Sequence, residues 1–244
     1  IAIATPCMSS DADLTIRLLK VADGSPLSTM TIRNAGYYAS VIGMRFDPSG
    51  KTLVTAHENY VIRMWRVGDG VLLNTIEPHL LSITDLSLSP DGDILASCHG
   101  SGVLVLWSMR DGAMIRSQWP GTLRDAFVKA KFTPDGKELI TGVANGQIRI
   151  LRANDGTLLR TIGTDSLGMG NLMLARSGSV VAVTYEDGSL RTWRVSDGAL
   201  LSTVKADSTR WYSISIDSAG AVLAVGSYYG LRGQILDIFL GKRD

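Results

Sequence analysis

Cysteine is scarce in this chain of 244 residues, which contains only Cys7 and Cys98. Small domains that depend on disulfides carry four or more cysteines at regular spacing. Two cysteines so far apart exclude such a framework. A bridge requires Cα atoms within about 7 Å of each other, and we expect none between these two residues. The cysteine count leaves the compartment open, with the cytoplasm as the working expectation.

Long apolar runs and an excess of one charge are also missing. Lysine and arginine number 24 against 23 aspartates and glutamates, for a formal net charge of +1. Nucleic-acid binders usually show a clustered basic patch, so these scattered charges predict no nucleic-acid partner. No run reaches the roughly 18 to 20 apolar residues that cross a bilayer, and we expect no membrane insertion by this segment. Because the first residue is Ile1 rather than methionine, we expect translation to begin upstream.

Motifs for catalysis and cofactor binding are absent as well. The sequence has neither a glycine-rich phosphate loop nor a Gly-x-Ser-x-Gly nucleophile elbow. A zinc site needs three or four converging ligands, and no cysteine or carboxylate cluster accompanies the histidines His57, His79 and His99. We therefore expect no enzyme activity, no metal and no cofactor.

Glycine, by contrast, is abundant and periodic. A series of Asp-Gly pairs and a second series of turn glycines both recur every 42 to 46 residues. Two series that share one period indicate a repeat architecture. The glycines of the first series are Gly24, Gly70, Gly112, Gly156 and Gly198, and those of the second are Gly50, Gly92, Gly136, Gly178 and Gly220.

Short runs rich in valine, isoleucine, leucine and threonine lie between these turns. Such runs, bounded by Gly, Asp, Pro or Asn, are typical of strands joined by tight hairpins. One period holds four of them, at 83–88, 94–98, 103–109 and 113–117. Many, such as 103–107, are apolar on both faces and must be covered on both sides. Four-stranded sheets stacked around an axis satisfy this requirement.

The repeat resembles the WD40 family, whose blades contain four strands. The chain keeps the family turn Ser-Pro-Asp-Gly at 89–92 and a variant at 133–136, with third-strand tryptophans at Trp65, Trp107 and Trp193. The resemblance implies an all-β propeller of about six four-stranded blades in a single domain over 1–244. The repeats fall at about 1–36, 37–78, 79–120, 121–164, 165–206 and 207–244.

The first and last blades are expected to be incomplete. With the strands of a blade labelled a to d from the axis outward, the chain starts at strand b and stops after strand c of the sixth blade. Two arrangements remain open: an imperfectly closed six-bladed ring, or part of a propeller with seven or more blades.

Departures from the family pattern concern its buried hydrogen-bond network of histidine, serine or threonine, aspartate and tryptophan. The Gly-His pair of the family survives only as Pro78-His79, and Ser101 stands where the aspartate belongs. We expect only the blade with His79, Ser97 and Trp107 to approximate the network. The other blades are expected to depend on apolar stacking.

The two ends of the sheets differ in composition. The a–b and c–d turns, which we call the turn end, are short and rich in Asp and Gly. The b–c and d–a connections, which we call the loop end, hold all seven tyrosines together with Trp119 and Trp211. Tyr, Trp and Arg are enriched in binding hot spots; the alternative is that these aromatic residues cap the blade cores. The predicted protein-binding residues are Tyr37, Tyr38, Tyr60, Trp119, Arg124, Arg210, Trp211, Tyr228 and Tyr229.

The function expected from these features is non-catalytic binding of other proteins. The chain is interpreted as an interaction module, either a scaffold subunit of a multi-subunit assembly or the recognition domain of a longer regulatory protein. The alternative is a propeller that senses a small ligand or a glycan. The Arg-rich, Lys-poor sequences of the repeats are similar to those of bacterial WD40 arrays.

Overall fold

The structure is a computed structural model that describes residues 2–5, 13–33, 40–78, 80–163, 167–205, 211–217, 222–227 and 238–240. These residues fall into two compact units, Ile1–Ser117 and Gln118–Asp244. Both units consist of consecutive antiparallel sheets in which each strand pairs with the next one along the chain. The placement of one domain over 1–244 stays a prediction.

The first unit contains one three-stranded and two four-stranded sheets within its described residues. The strands of the first sheet are β1 (Ala2–Thr5), β2 (Leu14–Leu19) and β3 (Pro26–Ile32). Those of the second are β4 (Val41–Phe46), β5 (Thr52–His57), β6 (Ile62–Arg66) and β7 (Leu72–Ile76). Those of the third are β8 (Ile83–Leu88), β9 (Ile94–His99), β10 (Leu104–Ser108) and β11 (Met114–Gln118), the last of which ends just inside the second unit.

The second unit adds two four-stranded sheets and one three-stranded sheet within its described residues. Its fourth sheet along the chain comprises β12 (Phe127–Phe132), β13 (Glu138–Val143), β14 (Ile148–Arg152) and β15 (Leu158–Ile162). The fifth comprises β16 (Met169–Leu174), β17 (Val180–Tyr185), β18 (Ser189–Arg194) and β19 (Leu200–Lys205). The last comprises β20 (Trp211–Ile216), β21 (Val222–Ser227) and β22 (Ile238–Leu240). The all-β class and the four-stranded repeat are thereby confirmed.

Turn chemistry explains where the strands end. In the turn between β8 and β9, the backbone N–H of Gly92 donates to the Ser89 carbonyl over 2.9 Å. The carboxylate of Asp91 accepts the backbone N–H of Asp93 over 3.0 Å. Gly92 has φ of 82°, a left-handed conformation that glycine adopts without the steric cost of a side chain. The Ser-Pro-Asp-Gly segment therefore folds as a local unit that reverses the chain.

Sheets within each unit stack through alternating residues of the same strand. In the first unit, Trp65 of β6 packs with Ile16 and Leu18 of the first sheet. Its neighbour Met64 packs in the cluster that contains Trp107 of the third sheet. Successive side chains on a strand point to opposite faces, so β6 is buried on both sides. This explains why the strands read as continuous apolar runs.

The buried hydrogen-bond networks differ from the expectation in which histidine takes part and in how many blades contain a network. The indole N–H of Trp107 donates to Ser97 Oγ over 2.8 Å, and Ser97 Oγ lies 2.9 Å from His99 Nε2. His99 belongs to strand b of the same blade. It supplies the imidazole that was expected from His79. His79 itself lies outside the described residues.

A second network occurs in the preceding blade, where only apolar stacking was expected. Trp65 Nε1 donates to Thr55 Oγ1 over 2.9 Å, and Thr55 Oγ1 lies 2.8 Å from His57 Nε2. All three side chains are almost fully buried. The prediction of a single approximate network was therefore wrong, because a histidine two residues after the hydroxyl lies on the same face of the strand.

Candidate functional site

Four of the nine predicted binding residues fall within the described part of the chain. Tyr60 lies in the turn between β5 and β6, Trp119 follows β11, and Arg124 lies in the connection that leads to β12. Trp211 begins β20, where only the backbone is described. The other five, Tyr37, Tyr38, Arg210, Tyr228 and Tyr229, lie outside the described residues.

Among the described residues of the loop end, the most exposed group of apolar side chains lies in the connection 119–126 of the second unit. Trp119 is 66% exposed and Leu123 is 81% exposed. Leu123 opens a short 3-10 turn, Leu123–Asp125, and the exposed side chain of Arg124 follows it directly. The structure thus brings Trp119, Leu123 and Arg124 into one short connection. Leu123 was not predicted, because a single leucine in a loop has no sequence signal for exposure.

Hydrogen bonds inside the connection fix its shape. The hydroxyl of Thr122 donates to Asp125 Oδ2 over 2.9 Å, and the backbone N–H of Asp125 donates to the Thr122 carbonyl over 2.9 Å. The backbone N–H of Ala126 closes the turn by donating to the Leu123 carbonyl over 3.3 Å. The connection is therefore a defined turn with its own side-chain lock.

The same connection is fastened to the b–c turn of its blade. The backbone N–H of Asn145 donates to the Arg124 carbonyl over 2.9 Å, and that of Ala144 donates to the Ala126 carbonyl over 2.8 Å. The guanidinium of Arg149 donates to Asp125 Oδ1 in an ion pair. The Thr122 hydroxyl first, and Arg149 second, hold the pKa of Asp125 below its usual range. The carboxylate therefore stays ionised and keeps the connection attached at neutral pH.

The Arg124 side chain is the unpaired charge of this surface. Its backbone carbonyl is engaged by Asn145, but its guanidinium has no hydrogen bond or ion pair among the described residues. A guanidinium that is free and exposed in the same connection as Trp119 and Leu123 can bind a carboxylate in two-pronged geometry. The surface combines two apolar side chains with one available cation.

Capping explains another aromatic residue of the loop end. Tyr185 is 2% exposed, and its ring meets the Trp193 ring edge-on with centroids 5.9 Å apart. Its hydroxyl donates to the Gly146 carbonyl over 3.1 Å, and burial raises its pKa. The capping interpretation therefore holds for Tyr185, whereas Trp119 is too exposed to cap a core.

Tyr60 occupies a backbone position that glycine holds in other repeats. The equivalent b–c turn residues Gly102, Gly146 and Gly188 have φ of 81°, 88° and 76°, and Tyr60 has φ of 68°. Among the described residues it is the non-glycine residue with positive φ. An aromatic residue in this region costs of order 1 kcal/mol or more, and such strain clusters at functional sites. Its side chain is 44% exposed.

At the turn end, three of the c–d turns pair their own charges. Each c–d turn of the second, fourth and fifth sheets carries an arginine and an aspartate three residues apart whose side chains pair at 2.8 to 3.0 Å. The Thr157 backbone N–H, with further bonds to Thr157 and Arg152, lowers the pKa of Asp155 to about 2. These aspartates stabilise their own turns and are already occupied.

Neither a metal cluster nor a membrane-spanning helix was found in the part of the chain that the structure describes. That part contains no group of three or more His, Cys, Asp or Glu side chains placed to hold a metal ion. No helix in it is long and apolar enough to cross a membrane.

Comparison with known proteins agrees with the repeat and with the fold. The β-propeller domain of Cps50 (Swd1) from Myceliophteria thermophila, known from a crystal structure, is similar with a TM-score of 0.65 and 15% identity. The alignment covers 83% of this chain and 70% of that chain. The fold is therefore that of a β-propeller built from four-stranded antiparallel blades.

The sequence comparison identifies the kind of repeat. The family model described as "WD domain, G-beta repeat" (WD40) matches residues 24–66 and 70–108, which are WD40 repeats. Propellers of this class generally mediate protein–protein interaction or scaffolding and are typically non-catalytic. No curated protein matches the chain.

Proposed function

We propose that this chain is a non-catalytic interaction module that binds a partner protein through its loop end, with Trp119, Leu123 and Arg124 as the main contacts of the second unit. Tyr60 contributes in the first unit, and the five predicted residues outside the described ranges remain predicted contacts. The observation that carries the proposal is the connection 119–126, a locked turn that exposes a tryptophan and a leucine.

The energetics of the exposed side chains favour binding over a structural role. A tryptophan or leucine that is mostly exposed contributes little burial to folding, because the hydrophobic gain is about 25 cal/mol for each Å² removed from water. The same area becomes available when a partner covers it. Tryptophan and arginine are also the residues that most often dominate measured interface energies.

The locked backbone adds a second argument. Ordering a flexible loop on association costs free energy, and a preformed loop avoids that cost. Thr122, Asp125 and Arg149 hold the connection in one shape, while the backbone of Asn145 fixes its far side. Six hydrogen bonds in all therefore hold the connection in the shape that a partner would meet.

The alternative of a small-ligand sensor has less support among the described residues. A groove of about 670 Å³ at the turn end of the second unit is lined by Pro134, Glu138, Arg160, Ser179, Arg194 and Leu201, among others. Both terminal nitrogens of Arg160 donate to the Glu138 carboxylate over 2.9 Å. Arg194 is paired with Asp197. Both arginines of the groove are therefore already paired with carboxylates. Asp135, which also lines it, accepts the Thr133 hydroxyl and the Lys137 backbone N–H.

The proposal is tested by affinity capture with the purified full chain as bait and quantitative mass spectrometry. Trp119→Ala and Leu123→Ala are each expected to reduce recovery of a specific partner by about tenfold or more, as for hot-spot residues. Their unfolding midpoints should match that of the unsubstituted protein, because both side chains are mostly exposed.

Leu158→Ala is the matched control, since Leu158 is an exposed leucine of the same unit, 53% exposed, on the outer strand β15. It should leave recovery unchanged. Equal recovery by all three variants and the unsubstituted bait would contradict the proposal.

A further inference from the structure

The turn between β5 and β6 and the start of β6 carry two buried polar atoms with unmet hydrogen-bonding capacity. These atoms are Oδ1 of Asn59, in the turn, and Nη1 of Arg63, the second residue of β6; both are buried and lack a hydrogen-bond partner among the described residues. One is an acceptor and the other a donor. A buried polar group without a partner costs about 1 to 3 kcal/mol, and more when charged, so two within five residues need an explanation.

In two other repeats the arginine at the position of Arg63 has a carboxylate partner. Arg149 and Arg191 occupy the place of Arg63 in the fourth and fifth sheets. Arg149 donates to Asp125, and Arg191 lies 3.8 Å from Asp187 and 5.1 Å from the centroid of the Tyr185 ring. An arginine at this position therefore reaches the loop end of its blade.

Arg63 differs from its counterparts in having no carboxylate within pairing distance among the described residues. Burial lowers its pKa, and the more distant charge of Glu77 opposes that effect. A desolvated guanidinium interacts with an incoming carboxylate more strongly than one in water does, because the local dielectric is lower. The unpaired guanidinium of Arg63 is thus suited to bind an anionic group of a ligand.

The exposure of Tyr60 shows that the turn before Arg63 reaches the surface. In the equivalent turns glycine satisfies the positive φ, whereas here an aromatic side chain is held 44% exposed despite the backbone cost. Strain of this kind persists where the exposed side chain has a use. An exposed phenol three residues before a buried guanidinium can offer an apolar face and a second hydrogen-bond donor to a ligand at this turn.

We propose that the Asn59–Arg63 turn binds an aspartate or glutamate side chain of a partner protein, with Arg63 receiving the carboxylate and Asn59 receiving a backbone N–H of the same residue. The two unmet atoms fit this ligand because one amino-acid residue provides both an anionic acceptor and an amide donor. Inorganic phosphate supplies the anion without the amide. The inference depends on the proposed function only in taking the ligand to be a protein.

The test is an NMR titration of the full chain labelled with ¹³C and ¹⁵N in its arginines, which follows the side-chain signal of Arg63. The probes are N-acetyl-glutamate methylamide, the neutral N-acetyl-glutamine methylamide, and inorganic phosphate. The signal should shift saturably with the glutamate probe. Binding of the glutamine probe and of phosphate should be at least about tenfold weaker, which corresponds to the loss of one charge-assisted hydrogen bond.

One internal control and three variants complete the test. The signal of Arg149, which is already paired with Asp125, should not shift. Variants at position 63 lack the reporting side chain, so they are read through the backbone ¹⁵N signal of Tyr60 in the uniformly ¹⁵N-labelled chain, and Arg63→Gln should abolish the shift that the glutamate probe causes there. Tyr60→Gly should weaken binding of the glutamate probe while raising the unfolding temperature, since glycine relieves the positive-φ strain. If Arg63→Gln does not fold, Arg63→Lys, which keeps the charge but not the planar fork, should weaken binding.

Four results would overturn the inference. These are no saturable shift of Arg63, equal affinity for the glutamate and glutamine probes, phosphate binding as tight as that of glutamate, or a loss of stability in Tyr60→Gly. None of these results depends on Trp119 or Leu123, so failure here is distinguishable from failure of the proposed function.

Discussion

Removing the hydroxyl of Thr55 should expose how much the buried indole–hydroxyl–imidazole networks stabilise this protein. Thr55 is fully buried, and its Oγ1 accepts the indole N–H of Trp65 and lies beside His57 Nε2. Thr55→Val keeps the shape and β-propensity of the side chain but removes that partner from both rings. Each buried group left unpaired costs about 1 to 3 kcal/mol, so we expect a loss of about 2 to 4 kcal/mol.

The chain offers a matched control at the equivalent position of another blade. Thr141 is also fully buried, but Leu151 and Val143 stand where Trp65 and His57 stand, and its hydroxyl donates only to the Arg149 carbonyl, over 2.8 Å. Thr141→Val therefore removes one hydrogen bond without leaving a ring nitrogen unpaired. Its expected cost is about 0.5 to 1.5 kcal/mol.

Urea unfolding of both variants, read by tryptophan fluorescence, measures the difference. Hydrogen exchange with mass spectrometry localises it to peptides from β5 and β13. A gap of about 2 kcal/mol corresponds to roughly 4 to 8 °C in unfolding temperature for a chain of this size. Equal losses in the two variants would show that the ring nitrogens find other partners, and the network interpretation would be wrong.

Two further predictions concern a glycine contact and a pH dependence. Gly178→Ala places Cβ 2.6 Å from Cδ of the Pro134 ring at φ of 74°, whereas Gly24→Ala at φ of 70° meets nothing within 4 Å. We expect the first to lower the free energy of unfolding, measured in urea, by about 1 to 3 kcal/mol more than the second, and equal losses would refute the clash. Burial lowers the pKa of His99, and its hydrogen bond to the Leu81 carbonyl opposes that effect. As the pH falls, the unfolded chain therefore takes up the proton first, and the free energy of unfolding should decrease below a pH of about 6.5. An unfolding temperature that does not change between pH 7.5 and 5.5 would contradict this.

The strands were largely predictable from the sequence, because burial on both faces and turn chemistry both leave clear patterns. The predicted run 83–88 has the same first and last residues as β8. The predicted run 103–109 extends one residue beyond β10 at each end. Val103 is fully buried and apolar, so the sequence pattern predicts a strand residue there. Its carbonyl instead accepts the His99 N–H in the turn, and Val103 is not part of the strand β10. Hydrophobic patterning reports burial rather than pairing.

The candidate site was predictable only in part. Trp119 and Arg124 were found because aromatic and basic residues concentrate at the loop end. The exposure of Leu123 and the unpaired Nη1 of Arg63 depend on which neighbours the fold provides, and no local pattern encodes that. The strain at Tyr60 was within reach, since aligning the b–c turns shows a tyrosine where other repeats have glycine.

The most direct test of the account is photo-crosslinking from the connection 119–126. A photoreactive p-benzoylphenylalanine placed at Leu123 of the full chain should crosslink a discrete partner protein, and Trp119→Ala in the same chain should abolish that crosslink. The same group at Leu158, an exposed leucine on the outer strand β15, should not crosslink that protein. Equal crosslinking from both positions, or crosslinking from Leu158 alone, would contradict the claim that this protein binds its partner through its loop end.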